Sequence, residues 1–160
     1  MASSYDFMLW SKFQLILFSL EIRVSMVIGS CVCGEIEYQV ELIPGKVYNC
    51  HCLQCRKSHG SAFATQAFAK GETLKFTRGE ELLGEYRGRL GIRAFCTKCG
   101  SRLMNYAPNK SEYLSIALST VDSGEVGKPV ANAFVDYKAS WYNLSDEIPC
   151  YSEIPDGALD

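Results

Sequence analysis

A chain of 160 residues is long enough for one domain with a real core, and with 48% apolar and 21% charged residues it has an ordinary globular composition. Its formal net charge of -2 and pI near 5.7 show no basic excess, so no nucleic-acid partner is expected. Eight cysteines set it apart: a secreted chain would pair them as disulfides, whereas a cytosolic one would use them on metal.

Residues 1–26 read as an N-terminal extension. Within it, residues 13–20 are largely apolar, with Lys12 before and Glu21 and Arg23 after. That run is shorter than the roughly 20 apolar residues of a bilayer span, so no stable membrane insertion is expected. A secretory signal needs a basic leader and a small-residue cleavage site. Asp6 is the only charge before Lys12, and no such site follows Leu20. A helix that packs on the domain or lies at an interface is favoured; a natural start at Met26 is the competing reading.

From residue 35 the pattern has period two. Ile36, Tyr38, Val40 and Leu42 share one face and four polar side chains share the other, which predicts a half-buried antiparallel strand. Pro44-Gly45 predicts a turn. Further strands are expected at 62–68, 74–76, 83–86, 92–95, 113–119 and 133–137, punctuated by glycines, with one short helical turn at 55–58. Many short strands with close turn signals make the expected fold mostly β. No repeat, low-complexity tract or linker divides the chain.

Seven cysteines fall into three groups: Cys31-Val32-Cys33, then Cys50-His51-Cys52-Leu53-Gln54-Cys55, then Cys96-Thr97-Lys98-Cys99-Gly100. The third has the form of a zinc knuckle, whose glycine allows the backbone to turn amides toward sulfur. A knuckle supplies two ligands and needs a partner pair. Seven thiolates divide into a closed four-sulfur site and an open three-sulfur site, the latter leaving one position for substrate. Spacing does not say which pair joins Cys96 and Cys99; if Cys31 and Cys33 do, then Cys50, Cys52 and Cys55 form a compact triad. Grouped cysteines suit disulfide bridges poorly. The βαβ context of a thioredoxin-like pair is absent, and an iron–sulfur cluster would want a recognised four-cysteine spacing. Zinc is the expected metal, with two ions per chain.

These residues resemble a known family. Gly29-Ser30-Cys31-Val32-Cys33-Gly34, Cys50-His51-Cys52-Leu53-Gln54-Cys55-Arg56-Lys57 with Gly60-Ser61-Ala62-Phe63, and Phe95-Cys96-Thr97-Lys98-Cys99-Gly100 are similar, in order, to the motifs of the glutathione-dependent formaldehyde-activating enzyme (GFA) family, which includes centromere protein V. Lys128-Pro129, Trp141-Tyr142 and Asp146-Glu147-Ile148-Pro149 are similar to its usual ending. The resemblance covers about 27–155, implying a GFA-type zinc domain there and a C-terminal tail at 156–160. It implies an Mss4-like fold of small coiled antiparallel sheets, stapled by zinc. It also implies a structural zinc on Cys31, Cys33, Cys96 and Cys99 and a second zinc on Cys50, Cys52 and Cys55. The implied activity is that of a carbon–sulfur lyase, forming or cleaving a thiol adduct such as S-hydroxymethylglutathione, with glutathione or a similar thiol and an aldehyde as partners. Asn132 and Ser140 depart from the family, standing where a histidine and a proline are expected.

Bound at a three-thiolate zinc, a substrate thiol would be deprotonated and able to attack an aldehyde carbon. Cys50, Cys52 and Cys55 are thus the candidate catalytic set. His51, between two of them, is a candidate proton shuttle or a residue making one structural hydrogen bond. Arg56 and Lys57 are candidates for the carboxylates of glutathione, Gln54 and Ser58 for hydrogen bonds to sulfur, and Trp141 and Tyr142 for pocket walls. His59 reads as a loop residue and Cys150 as a packed or surface thiol. The competing function is a non-catalytic binding module held together by zinc. Free thiolates point to the cytoplasm.

Overall fold

The computed structural model describes residues 25–88 and 91–158, so the helix expected around residues 13–20 lies outside the described part. The chain begins with β1 (Ser25–Ser30), which pairs antiparallel with β2 (Glu37–Cys50) from Ser25 opposite Leu42 to Ser30 opposite Glu37. Period-two alternation places Tyr38, Val40 and Leu42 inside, with Ile36 just ahead of the strand. Pro44-Gly45 does not end this strand, contrary to the expected turn. Leu42 faces Ala69 and Val47 faces Ala67, so the intervening residues bulge from the ladder and β2 runs on to Cys50. A proline without an N–H and a glycine at φ 74° suit such a bulge, because neither is asked to keep the ladder regular there.

Helix α1 (Leu53–His59) follows, capped by Cys52 and closed by Gly60 at φ 60°. It contains the helical turn expected at 55–58 and extends it at both ends. Next come β3 (Ala64–Ala69), β4 (Lys75–Arg78), β5 (Leu83–Gly88) and β6 (Gly91–Cys96). The last elements are β7 (Arg102–Tyr106), β8 (Leu114–Ala117), β9 (Val121–Ser123), β10 (Ala131–Ala133) and β11 (Cys150–Tyr151). Two expected strands are cut short. That at 113–119 ends at Ala117, where a 3-10 turn begins. That at 133–137 is a 3-10 turn over Val135–Tyr137, entered through Phe134 in the left-handed region.

The main sheet runs β11-β10-β2-β3-β8-β7-β6-β5, with β1 and β4 pairing on β2 and β9 on β1. All pairs are antiparallel except β2–β10 and β10–β11. The mostly antiparallel β architecture expected from the sequence is therefore present. Its core packs Val27, Ile36, Tyr38 and Val40 against Ile92, Leu103, Met104 and Ile116. A smaller cluster gathers Tyr48, Phe68 and Ala131 beside the end of β2.

Candidate metal centres

The loop between β1 and β2 carries Cys31 and Cys33. Gly34 at φ 71° lets it turn tightly, its N–H bonding Cys31 O at 2.8 Å, while the Ile36 N–H points at Cys31 Sγ at 3.3 Å. The turn between β6 and β7 carries Cys96 and Cys99, and Gly100 at φ 75° repeats the device, its N–H bonding Cys96 O at 2.8 Å. The two loops meet. Val32 N–H donates to Ser101 Oγ at 2.9 Å, and Lys98 pairs with Glu35 at 2.8 Å. The four sulfurs lie within 4.8 Å of one another, with Cys31 and Cys33 3.4 Å apart and Cys33 and Cys96 3.9 Å apart. A tetrahedral ion with bonds of about 2.3 Å to sulfur would hold its ligands roughly 3.8 Å apart, so the group fits one closely. The four thiols share protons unevenly: the Ser101 hydroxyl and N–H pull Cys99 down to about 5, while Cys33 is pushed up to about 12.

The second group is built where β2 runs into α1. Cys50 ends the strand, Cys52 is the N-cap, and Cys55 lies in the first turn with its N–H donated to Cys52 Sγ at 3.3 Å. These three sulfurs also lie within 4.8 Å of one another. Hydrogen bonds from Cys50 and Cys55 hold Cys52 at about 2. The same interaction pushes Cys50 far up, and Cys55 stands at about 11, where Cys52 and burial outweigh the lowering by Cys50. A cation held among the three would relieve this competition for charge, so the group fits one. All eight cysteines are free thiols, and none bridges another.

Behind the triad a chain of donors fixes one amide. The Tyr113 hydroxyl lies 3.1 Å from Ser115 Oγ, Ser115 donates to Gln66 Oε1 at 2.9 Å, and Gln66 Nε2 then points at Cys55 Sγ at 3.8 Å. Because Gln66 accepts at oxygen, its NH2 is committed to sulfur. Gln54 instead accepts from Arg93 at 2.7 Å. In front of the triad is a cavity of about 300 Å³, lined by Cys50, Cys52 and Cys55 together with Tyr48, Phe68, Tyr113, Phe134 and Ile154, and with Arg93 at its side.

His51 is fully buried. Its Nε2 lies 3.1 Å from Asn132 Oδ1, and its ring packs between Phe63 and Tyr142, with centroids 5.1 and 6.0 Å away. Asn49 also donates to Asn132 Oδ1, so that oxygen is the acceptor and His51 Nε2–H the donor; Nδ1 is then a buried lone pair with no partner among the described residues. Burial holds this imidazole below its ordinary pKa, against the opposing effect of the Asn132 bond. Asn132, noted in the sequence as a departure, thus anchors the residue between two triad cysteines, and its amide reaches Cys150 Sγ at 3.6 Å. Arg56 is spent on Tyr137 O at 2.6 Å, Lys57 and Ser58 line a neighbouring cleft, and Trp141 is 71% exposed. The contributions of Gln66, Arg93 and Phe134 were not foreseen, because they reach the triad from β3, β6 and the residue after β10 through strand pairing alone.

Fold and site together define a small, mostly antiparallel β protein with one four-cysteine and one three-cysteine group, each able to hold a metal ion. Residues 26–137 match the family model described as glutathione-dependent formaldehyde-activating enzyme, and the chain belongs to that family. It is 26% identical over 142 residues to a Halomonas elongata protein provisionally named a glutathione-dependent formaldehyde-activating enzyme, covering 82% of this chain and 90% of that one. A crystal structure of a Rhodobacter sphaeroides protein superposes with a TM-score of 0.53 at 26% identity, covering 77% of this chain and 98% of that one. Among the described residues no helix is long and apolar enough to cross a membrane.

Proposed function

We propose that this chain is a zinc-dependent carbon–sulfur lyase of the GFA type. It would hold one zinc on Cys31, Cys33, Cys96 and Cys99 and a second on Cys50, Cys52 and Cys55, and would make or break the adduct between a thiol such as glutathione and an aldehyde. The observation that carries this reading is the asymmetry of the two groups: four sulfurs saturate a tetrahedral ion, whereas the three-sulfur group forms one wall of a cavity. Zinc at the triad would supply Lewis acidity that lowers a substrate thiol's pKa and keeps it as thiolate.

The chain's own groups do the rest. Cys50, Cys52 and Cys55 converge on one point, and the amide of Gln66 draws charge from Cys55, which leaves room for a fourth sulfur donor. In the synthetic direction the thiolate sulfur bonds to the aldehyde carbon, the carbonyl π pair moves to oxygen, and that oxygen takes up one proton. In reverse the hydroxyl loses its proton and the carbon–sulfur bond breaks with its electrons on sulfur. His51, bonded to Asn132 and packed between two rings, enters this reading as the residue that orients the Cys50–Cys52 segment. Free thiols on this scale suit a reducing compartment, the cytoplasm.

The test is a cobalt-substituted protein titrated with glutathione. A thiolate entering the triad's sphere shifts the visible absorption and adds sulfur-to-metal charge transfer. An unchanged spectrum, with two metal ions bound per chain, would leave the non-catalytic, zinc-held binding module as the function.

A further inference from the structure

Two cavities meet at Arg93, and they differ in chemistry. The first is the cavity of about 300 Å³ at the triad. Beyond the sulfurs its wall is made chiefly by Tyr48, Phe68, Tyr113, Phe134 and Ile154, and its three amides are already engaged: Gln66 by Ser115 and Cys55, Asn105 by Arg102 and Ser115, and Gln54 by Arg93. The second, of about 440 Å³, is lined by Lys57, Arg93 and Arg102 with no carboxylate among its lining residues. Among the described residues the two guanidiniums bond to neutral acceptors and not to carboxylates: Arg93 donates to Gln54, and Arg102 to Ala94 O and Asn105 Oδ1, which leaves each guanidinium further N–H groups. Gln54 and Arg93 line both spaces, and the Arg93–Gln54 bond of 2.7 Å fixes the boundary.

Phe134 gives a second, independent indication. It has φ 59°, and among the described residues no other non-glycine has positive φ. A bulky side chain in the left-handed region is strained, and such strain persists where the surroundings need the residue in place. Here it sets Phe134 in the cavity wall, just after β10.

A one-carbon unit on sulfur would leave most of this cavity empty and set a hydroxyl against aromatic rings. A charged tripeptide would not be drawn into it either, since away from Arg93 at the boundary its carboxylates would lose water against rings without gaining a cation. The basic cleft offers those carboxylates three cations a few side chains away.

Building on the thiol-adduct reading, we propose that the substrate joins an anionic thiol, seated along Lys57, Arg93 and Arg102, to an apolar carbon unit larger than one carbon, such as that of an arylalkyl or medium-chain aldehyde, seated against Phe134. The site divides one molecule at its sulfur: charge on one side, apolar carbon on the other.

Stable thioethers test this without turnover. Zinc-loaded full-length protein is titrated by calorimetry with S-benzylglutathione and S-methylglutathione, and with the matching pair 3-(benzylthio)propanoate and 3-(methylthio)propanoate. The benzyl member is expected to bind about tenfold or more tightly than the methyl member, as burial of an aromatic ring predicts. Phe134→Gly, which suits positive φ, should remove most of that advantage and leave the methyl compound unchanged. Ile154→Ala should do so in part without touching the strained turn. Arg93→Gln should weaken both members by the same factor. A benzyl advantage seen only in the propanoate pair would sink glutathione as the thiol and leave the divided site standing. Equal affinity of benzyl and methyl members in both pairs, or no binding by any of the four, would overturn the proposal. The cobalt titration with glutathione judges the lyase reading separately.

Discussion

His59 ends α1 with Nε2 buried and unpartnered among the described residues, within reach of the charges of Arg102 and Arg93. Burial first, then those two guanidiniums, hold its pKa at about 4, against 6.5 for a free imidazole. As pH falls through 6.5 the unfolded chain takes up this proton and the folded chain does not, until about pH 4. The ring is therefore neutral in both states above pH 7 and costs nothing there. Between 6.5 and 4 it draws stability down by about 3 kcal/mol, and below 4 the loss levels off. In urea denaturation as a function of pH, His59→Gln should gain on the wild type over that window and run parallel to it above pH 7. Parallel curves throughout would mean a solvated ring. The seven grouped cysteines were legible at this scale because a metal needs its ligands close, and short spacings in sequence deliver that. Gln66 and Arg93 were not, since each lies on a strand that reaches the triad only after the sheet has formed, whereas Asn132 was marked only as a departure from the family pattern.

Glycines show what individual elements demand. Gly45, in the β2 bulge, and Gly79, after β4, have nearly equal φ of 74° and 69°. A Cβ on Gly45 would meet nothing within 4 Å, whereas one on Gly79 would fall 2.0 Å from Glu35 O. Gly45→Ala should cost only the left-handed penalty of about 1 kcal/mol. Gly79→Ala adds a backbone clash that pushes β4 from the loop bearing Cys33, and should cost at least about 3 kcal/mol. Thermal denaturation of the two variants compares them directly, and equal losses would show that the β4 junction yields. The sequence reading of elements succeeded where one face is wet, as in Ile36 to Leu42. It missed β7, whose Leu103, Met104, Asn105 and Tyr106 are all buried, because a strand covered on both faces shows no alternation. It missed β1, whose first two residues were assigned to the extension and whose last four open the domain without a strand having been expected there. It lengthened the strand at 133–137 because nothing local announces that Phe134 turns left-handed.

Viewed whole, the sheet has to coil. Three strands, β3, β8 and β7, lie between β2 and β6 in the ladder, yet the loop entering β2 and the turn leaving β6 bring four sulfurs together. No strand pairing makes that closure; the four-cysteine group does, aided by Val32–Ser101 and Lys98–Glu35. The exposed Lys98–Glu35 pair is worth little by itself. A metal that ties residue 31 to residue 99 contributes folding energy outright, since the unfolded chain cannot hold it in the same way. The triad makes no comparable link, because Cys50, Cys52 and Cys55 are neighbours in sequence and α1 already holds them with its own cap. In protein loaded with zinc, Cys99→Ser should therefore lower stability by about 3 kcal/mol or more, and stripping zinc with a chelator should do at least as much. Cys55→Ser should stay within about 1 kcal/mol of the wild type in denaturant titration while losing the response of the cobalt spectrum to thiol. If the two serine variants unfold together, the triad is a second staple and the cavity in front of it is not a reaction site. If Cys55→Ser stays folded yet no longer answers to thiol, closure belongs to one metal and chemistry to the other.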